Sequence, residues 1–173
     1  MRGFDGAVDA AFAHLRGHPP VDRMFYSASA LGDFSLLWHL IGTARALRSR
    51  HELQALRLEV ALGLESVAIN SGVKSLFSRS RPLREEHERH RLRRPRSSSF
   101  PSGHASSGFM AATLLANGRP MGRRGAWYLL AAIVAASRIH VGIHHASDVV
   151  AGALIGVGLG RLVMRVWPLP RPG

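Results

Sequence analysis

Apolar residues along the chain fall into blocks of helical length, and clusters of arginine separate the blocks. The spacing predicts an amphipathic N-terminal helix over residues 1–23, with Phe4, Val8 and Phe12 on one face, and longer helices after it. These longer helices are predicted at residues 27–47, 52–77, 102–116, 125–142 and 146–167. Strand signals are weak throughout, so the pattern predicts an all-α bundle of about five to six helices.

The arginine clusters at the block ends are typical of loops between membrane helices. No block is a clean run of ~20 apolar residues, the length that crosses a bilayer, so hydropathy leaves a soluble helical protein and a polytopic membrane bundle both open. We expect the membrane bundle, because arginine flanks each apolar helix. Gly152, Gly156 and Gly160 have the spacing of close helix packing, which we expect within the chain rather than at a dimer seam.

The balance of charge limits the classes of partner. The chain has 173 residues, which we expect to form one domain, and its formal net charge is +12. Such a charge suits nucleic acid, anionic lipid or a phosphorylated substrate. Aromatic residues make up only 7% and do not alternate with basic ones, so we expect no nucleic acid partner. Cysteine is absent, which excludes disulfides and thiolate metal sites. Residues 78–100 carry many basic residues and are predicted to form a solvated loop.

One lysine stands among the 23 basic residues. It is Lys74, and it begins a K-x6-R-P segment that ends with Arg81 and Pro82. Two fixed cations can neutralise the oxygens of a phosphoryl group as charge spreads in the transition state. Taken alone, the lysine is as readily explained by an arginine-rich composition as by a function.

A second polar cluster, Pro101-Ser102-Gly103-His104, precedes an apolar helix. Serine is a good helix N-cap, and glycine lets the backbone approach a ligand closely. The N–H groups at such a helix start bind phosphate, and a histidine in the first turn suits a general acid. The alternative is an ordinary helix start with a surface histidine.

The third cluster runs from Ser137-Arg138 to His144 and Asp148. Arg138 adds a third cation. His144 and Asp148 are one helical turn apart, so the carboxylate can fix the imidazole tautomer and leave the other ring nitrogen as a nucleophile. The same spacing also occurs in helix-end hydrogen bonds. His140 and His144 could form a zinc pair, but a third ligand is not well placed, so we expect neither a metal nor another cofactor.

The three clusters together, in this order and spacing, resemble the type 2 phosphatidic acid phosphatase (PAP2) superfamily, whose pattern is K-x6-R-P, P-S-G-H and S-R-x5-H-x3-D. The resemblance implies a metal-independent phosphatase with a phosphohistidine intermediate. In that mechanism His144 attacks phosphorus, Asp148 orients it, and His104 protonates the leaving oxygen. The residues that would hold the phosphoryl oxygens are Lys74, Arg81, Ser102, Gly103 and Arg138.

Members of the superfamily include soluble acid phosphatases, vanadium haloperoxidases and membrane lipid phosphatases. We expect the last class, in the plasma membrane of a bacterium, with the site at one membrane face. The segment Leu31-Gly32-Asp33 resembles bacterial members that act on polyprenyl phosphates, so the expected substrate is a lipid phosphate or diphosphate of that type. A haloperoxidase, and a basic adaptor that binds membranes or nucleic acid, remain the alternatives. The particular lipid, the side of the membrane and the oligomeric state stay open.

Overall fold

The computed structural model describes residues 2–48, 52–82 and 97–169, and within these ranges the regular structure is entirely helical. The prediction of an all-α protein is confirmed. Most of the predicted basic loop, residues 83–96, lies outside the described residues. The α-helices are α1 (Arg2–Ala13), α2 (Pro19–Gly32), α3 (Leu36–Arg48), α4 (Glu52–Val67), α5 (Gly103–Ala116), α6 (Met121–His140) and α7 (Ala146–Val166).

Helix α5 is the centre of the bundle. From Ala105 to Ala116 every residue except Phe109 is buried, and α4, α6 and α7 pack around it. Small residues permit this arrangement. Along α7, the predicted close-packing glycines Gly152, Gly156 and Gly160 face α5 within the same chain, where an added Cβ would collide with its backbone or with Thr113. The two helices run parallel, and both begin at the same end of the bundle.

The predicted helix at 27–47 is instead two helices, α2 and α3, joined by a short 3₁₀ turn at Asp33–Ser35. Phe34 and Ser35 have φ angles of 53° and 58°, a left-handed conformation that is costly for residues other than glycine. Sequence patterns do not show such a break, because neither residue is a usual helix breaker. The consequence is that Asp33 turns inward toward α5.

Two other predicted helices are also shorter than expected. The N-terminal one ends at Ala13, because Gly17 adopts a positive φ of 85° and the two prolines that open α2 start a new helix. The helix predicted at 52–77 is α-helical only to Val67. It continues as a wide π-turn at Ala68–Gly72 and a 3₁₀ turn at Val73–Leu76, which carries Lys74.

Large apolar side chains are exposed on the outer faces of several helices. In the part of the chain that the structure describes, α7 is the one helix long and apolar enough to cross a membrane, with a mean hydropathy of 1.8. The exposed apolar residues extend well beyond it: on α3, Leu36, Leu40 and Leu47; on α4, Leu53, Leu56, Val60, Leu64 and Val67; on α6, Leu129; on α7, Val150, Leu154, Leu162 and Val166. An apolar outer surface of this extent marks a protein that packs against lipid or another protein.

Candidate active site

The site forms where α5 and α7 begin side by side. The backbone N–H of Ser102 donates to the carbonyl oxygen of Asp148 over 3.0 Å, which ties the two helix starts together. Gly152 makes this approach feasible, because a Cβ there would collide with the Ser102 carbonyl. All three sequence clusters meet here, so the structure brings the eight predicted site residues into one region.

His144 lies in the turn between α6 and α7, buried between a carboxylate and a guanidinium. Its Nδ1 atom is 3.6 Å from Oδ2 of Asp148, and its Nε2 atom is 3.2 Å from a terminal nitrogen of Arg81. Arginine can only donate, so Nε2 is the unprotonated nitrogen and the ring proton sits on Nδ1, facing the carboxylate. Burial lowers the pKa of His144; Asp148 opposes that shift, while the nearby arginines reinforce it. The imidazole is therefore neutral at pH 7, with its lone pair directed at the cations.

Asp148 is held by a network that sequence reasoning did not identify. Arg79 donates to Oδ1 of Asp148 over 2.7 Å, and the backbone N–H of His145 donates to Oδ2 over 2.9 Å. The other terminal nitrogen of Arg79 donates to Asp5 on α1 over 2.7 Å, and Asp5 also accepts bonds from the N–H and hydroxyl of Ser147. The first helix is thus fastened to the start of α7, directly behind the candidate nucleophile.

Lys74 closes another side of the site. Its ammonium group donates to Oδ1 of Asn70 over 2.8 Å, and a Cβ added at Gly103 would lie 3.7 Å from the same nitrogen. Burial lowers the pKa of Lys74 to about 8, and the charge of Arg81 contributes to this shift. A buried ammonium close to other cations favours an anion as its partner.

Arg138, on the last turn of α6, completes the set of cations. One terminal nitrogen bonds to the hydroxyl of Ser29 on α2 and lies 4.0 Å from Oδ1 of Asp33. Its Nε atom and the hydroxyl of Ser102 are buried and lack a hydrogen-bond partner among the described residues. Buried donors in this state are costly, and a bound oxyanion would satisfy them.

His104, in the first turn of α5, faces the break between α2 and α3. Its Nε2 atom is 3.0 Å from Oδ1 of Asp33 and 3.3 Å from the carbonyl oxygen of Ser29. Gly32 leaves room for the ring, since a Cβ at that position would come 2.5 Å from His104 Cδ2. Sequence reasoning assigned no role to Asp33, although an acidic residue inside an apolar block is a signal that could have indicated one.

His140 does not join His144 in a zinc pair. Its Nε2 atom is 2.7 Å from Oδ1 of Asp22, and its ring stacks on Phe25 at a centroid distance of 4.6 Å. It therefore belongs to the packing of α2 against α6. Across residues 2–48, 52–82 and 97–169, no group of three or more histidine, aspartate or glutamate side chains is placed to hold a metal ion.

Comparison with known proteins agrees with this geometry. Residues 54–171 match the family model described as the PAP2 superfamily. The chain belongs to the PAP2 superfamily. It is 32% identical over 153 residues to the decaprenylphosphoryl-5-phosphoribose phosphatase of Mycolicibacterium smegmatis, which covers 87% of this chain and 82% of that protein.

Two solved structures share the fold. LpxE of Aquifex aeolicus superposes with a TM-score of 0.73 at 29% identity, covering 92% of this chain and 93% of the other. The transmembrane PAP2 type phosphatidylglycerolphosphate phosphatase of Bacillus subtilis gives a TM-score of 0.71 at 25% identity, covering 95% and 85%. The predicted family is confirmed, and with it the prediction of a PAP2 phosphatase of the kind that acts on phosphorylated lipids.

Proposed function

We propose that this chain is an integral membrane enzyme that removes phosphate from a polyprenyl-type lipid phosphate or diphosphate, without a metal ion, through a phosphohistidine on His144. The observation that carries the proposal is the environment of His144. Its Nδ1 atom faces Asp148 while its unprotonated Nε2 atom faces Arg81. A neutral imidazole with a fixed tautomer, aimed into a set of cations, is suited to attack phosphorus.

In the first step, Nε2 of His144 forms a bond to phosphorus as the bond to the lipid oxygen breaks. The proton on Nδ1 stays beside Asp148, which stabilises the positive charge that develops on the ring. His104 gives a proton to the departing oxygen. The groups that neutralise the phosphoryl oxygens are the cations of Lys74, Arg81 and Arg138, the hydroxyl of Ser102 and the N–H of Gly103.

In the second step, water attacks the phosphorus of the phosphohistidine. His104, having lost its proton, accepts one from that water. The P–N bond breaks, inorganic phosphate forms, and both histidines return to their starting states. Proton donor and proton acceptor are thus the same residue in successive steps.

The membrane location rests on the exposed apolar faces of α3, α4, α6 and α7. The site lies at the end of the bundle where α5 and α7 begin, so a lipid can place its phosphate in the site while its chain lies along the apolar faces. A polyprenyl substrate is favoured because the relative at 32% identity is named for a decaprenylphosphoryl compound. The bacterial sources of the relatives are consistent with a plasma membrane location.

Phosphate release in detergent with EDTA tests the proposal. The substrates would be polyprenyl phosphate, polyprenyl diphosphate, phosphatidate and phosphatidylglycerophosphate. We expect polyprenyl compounds to be preferred, and His144→Ala to lower turnover by roughly a thousandfold or more. His14→Ala, which removes an exposed histidine, is the control.

An acid-labile phosphoryl label on the wild-type chain, absent from His144→Ala, identifies the intermediate. Full turnover by His144→Ala would refute the nucleophile, and halide oxidation that needs added vanadate would favour the haloperoxidase.

A further inference from the structure

A groove between α3 and α6 lies at the end of the bundle away from the active site. Its volume is about 810 Å³, and its floor is apolar, with Ile41, Trp127, Leu130 and Ile133. Four arginines stand around it: Arg45, Arg48, Arg119 and Arg123. No carboxylate is among the described residues that line it.

The groove is separate from the phosphate site. Arg123 lies near the start of α6 and Arg138 near its end. With a rise of 1.5 Å per residue, about 22 Å of helix separates them. The phosphate that reacts at His144 therefore cannot also contact these four arginines, and the proposed mechanism gives them no role.

Charge and shape together indicate the chemistry of the occupant. Arg45 and Arg119 are close enough for their charges to repel each other. An anion at this position would relieve the repulsion. A small soluble anion would leave the apolar floor exposed to water, whereas a phospholipid would cover the floor with an acyl chain and bring its phosphate to the arginines.

We propose that the groove binds an anionic phospholipid, with its phosphate among the four arginines and one acyl chain along α3 and α6. This rests on the membrane location proposed above and not on the phosphatase chemistry. The bound lipid would belong to the membrane leaflet opposite the active site. It would join α3 to α6 and serve as a stabilising ligand rather than as a substrate.

Native mass spectrometry of the detergent-purified chain tests this, with phosphatidylglycerol compared against phosphatidylethanolamine. We expect the wild type to retain phosphatidylglycerol preferentially and to be stabilised by it against heat. Arg45→Ala with Arg119→Ala should lower its apparent affinity by about twentyfold or more. Arg165→Ala removes an exposed arginine from the same end of the bundle without altering the groove, and should have no such effect.

A second variant tests the contribution of the apolar floor of the groove. Ala126 lines the groove and is exposed, so Ala126→Trp fills the space while all four arginines remain. It should also lose the preference for phosphatidylglycerol. Three results would each overturn the proposal. They are equal retention of the two lipids by the wild type, a loss of phosphatidylglycerol affinity in Arg165→Ala as large as in the double arginine variant, and full stabilisation by glycerol phosphate alone. Hydrolysis of the soluble ester p-nitrophenyl phosphate should be unchanged in the groove variants, which separates this result from the phosphatase assignment.

Discussion

The Nε2 atom of His104 lies 3.0 Å from the Oδ1 atom of Asp33, and this contact joins the start of α5 to the break between α2 and α3. Burial and the charge of Arg138 both disfavour a protonated imidazole at His104; the carboxylate of Asp33 opposes them and fixes the plane of the ring. Asp33 also lies 4.0 Å from Arg138, so it links the candidate proton donor to one of the cations that would bind phosphate. We therefore expect Asp33 to position His104, the proposed proton donor.

Asp33→Asn should slow the reaction by a factor that depends on how much protonation the leaving group needs. The amide keeps the shape but loses the charge that supports protonated His104. We expect kcat for an alkyl phosphate to fall by roughly ten- to a hundredfold, and kcat for p-nitrophenyl phosphate, whose leaving group needs little protonation, to fall much less. Steady-state kinetics on both substrates measure the difference. Asp22→Asn, which removes the charge from the pair between Asp22 and His140, should show no leaving-group dependence. Equal losses on both substrates would contradict this role for Asp33.

The fall in activity at alkaline pH should reflect the loss of the proton from Lys74. Because its pKa is lowered to about 8, the wild type loses this cation as the pH rises through that value, and kcat/KM should fall there. Lys74→Arg keeps its charge at high pH but cannot reproduce the compact ammonium. We expect this variant to retain part of the phosphate affinity and to have a turnover about tenfold lower at neutral pH. Its kcat/KM should not decrease near pH 8. An identical fall in both proteins would mean that another group causes it.

Asp5 should influence catalysis from a distance. Asp5→Asn weakens the hold on Arg79 and on the start of α7, and so loosens Asp148 behind His144. We expect kcat to fall by about tenfold to a hundredfold with KM little changed. Asp9→Asn is the matched control, since Asp9 lies on the same helix, is 61% exposed and pairs with Arg16 instead. If the two variants behave alike in kcat and in thermal stability, α1 does not position the site.

Gly156→Ala should destabilise the fold, because the new methyl group would meet the backbone of α5 at Ser106. Overpacking of this kind costs about 1–3 kcal/mol, and backbone neighbours cannot easily move aside. Gly158→Ala, two residues along the same helix, meets nothing within 4 Å and should be neutral or slightly stabilising. Thermal unfolding in detergent compares them. Equal melting temperatures would show that α5 and α7 are less closely packed than the structure indicates.

The sequence was informative where the chemistry is local. K-x6-R-P, P-S-G-H and the segment from Ser137 to Asp148 are each contiguous, so one sequence is enough to recognise them. Their joint resemblance to the PAP2 superfamily predicted that they would meet. Asp33, Asp5 and Arg79 contact partners that are distant in the chain, and one sequence does not show which distant residues pair. The break after Gly32 depends on left-handed conformations at Phe34 and Ser35, which tertiary packing imposes against their local preference.

The parallel start of α5 and α7 has a consequence for the end of the catalytic cycle. Each helix N-terminus carries roughly half an elementary positive charge from its peptide dipoles, and this charge does not titrate. It will attract a phosphate group at alkaline pH, after Lys74 has become neutral. It also acts on inorganic phosphate as it does on the substrate. The same pair of helices that draws the lipid phosphate in therefore resists the departure of the product.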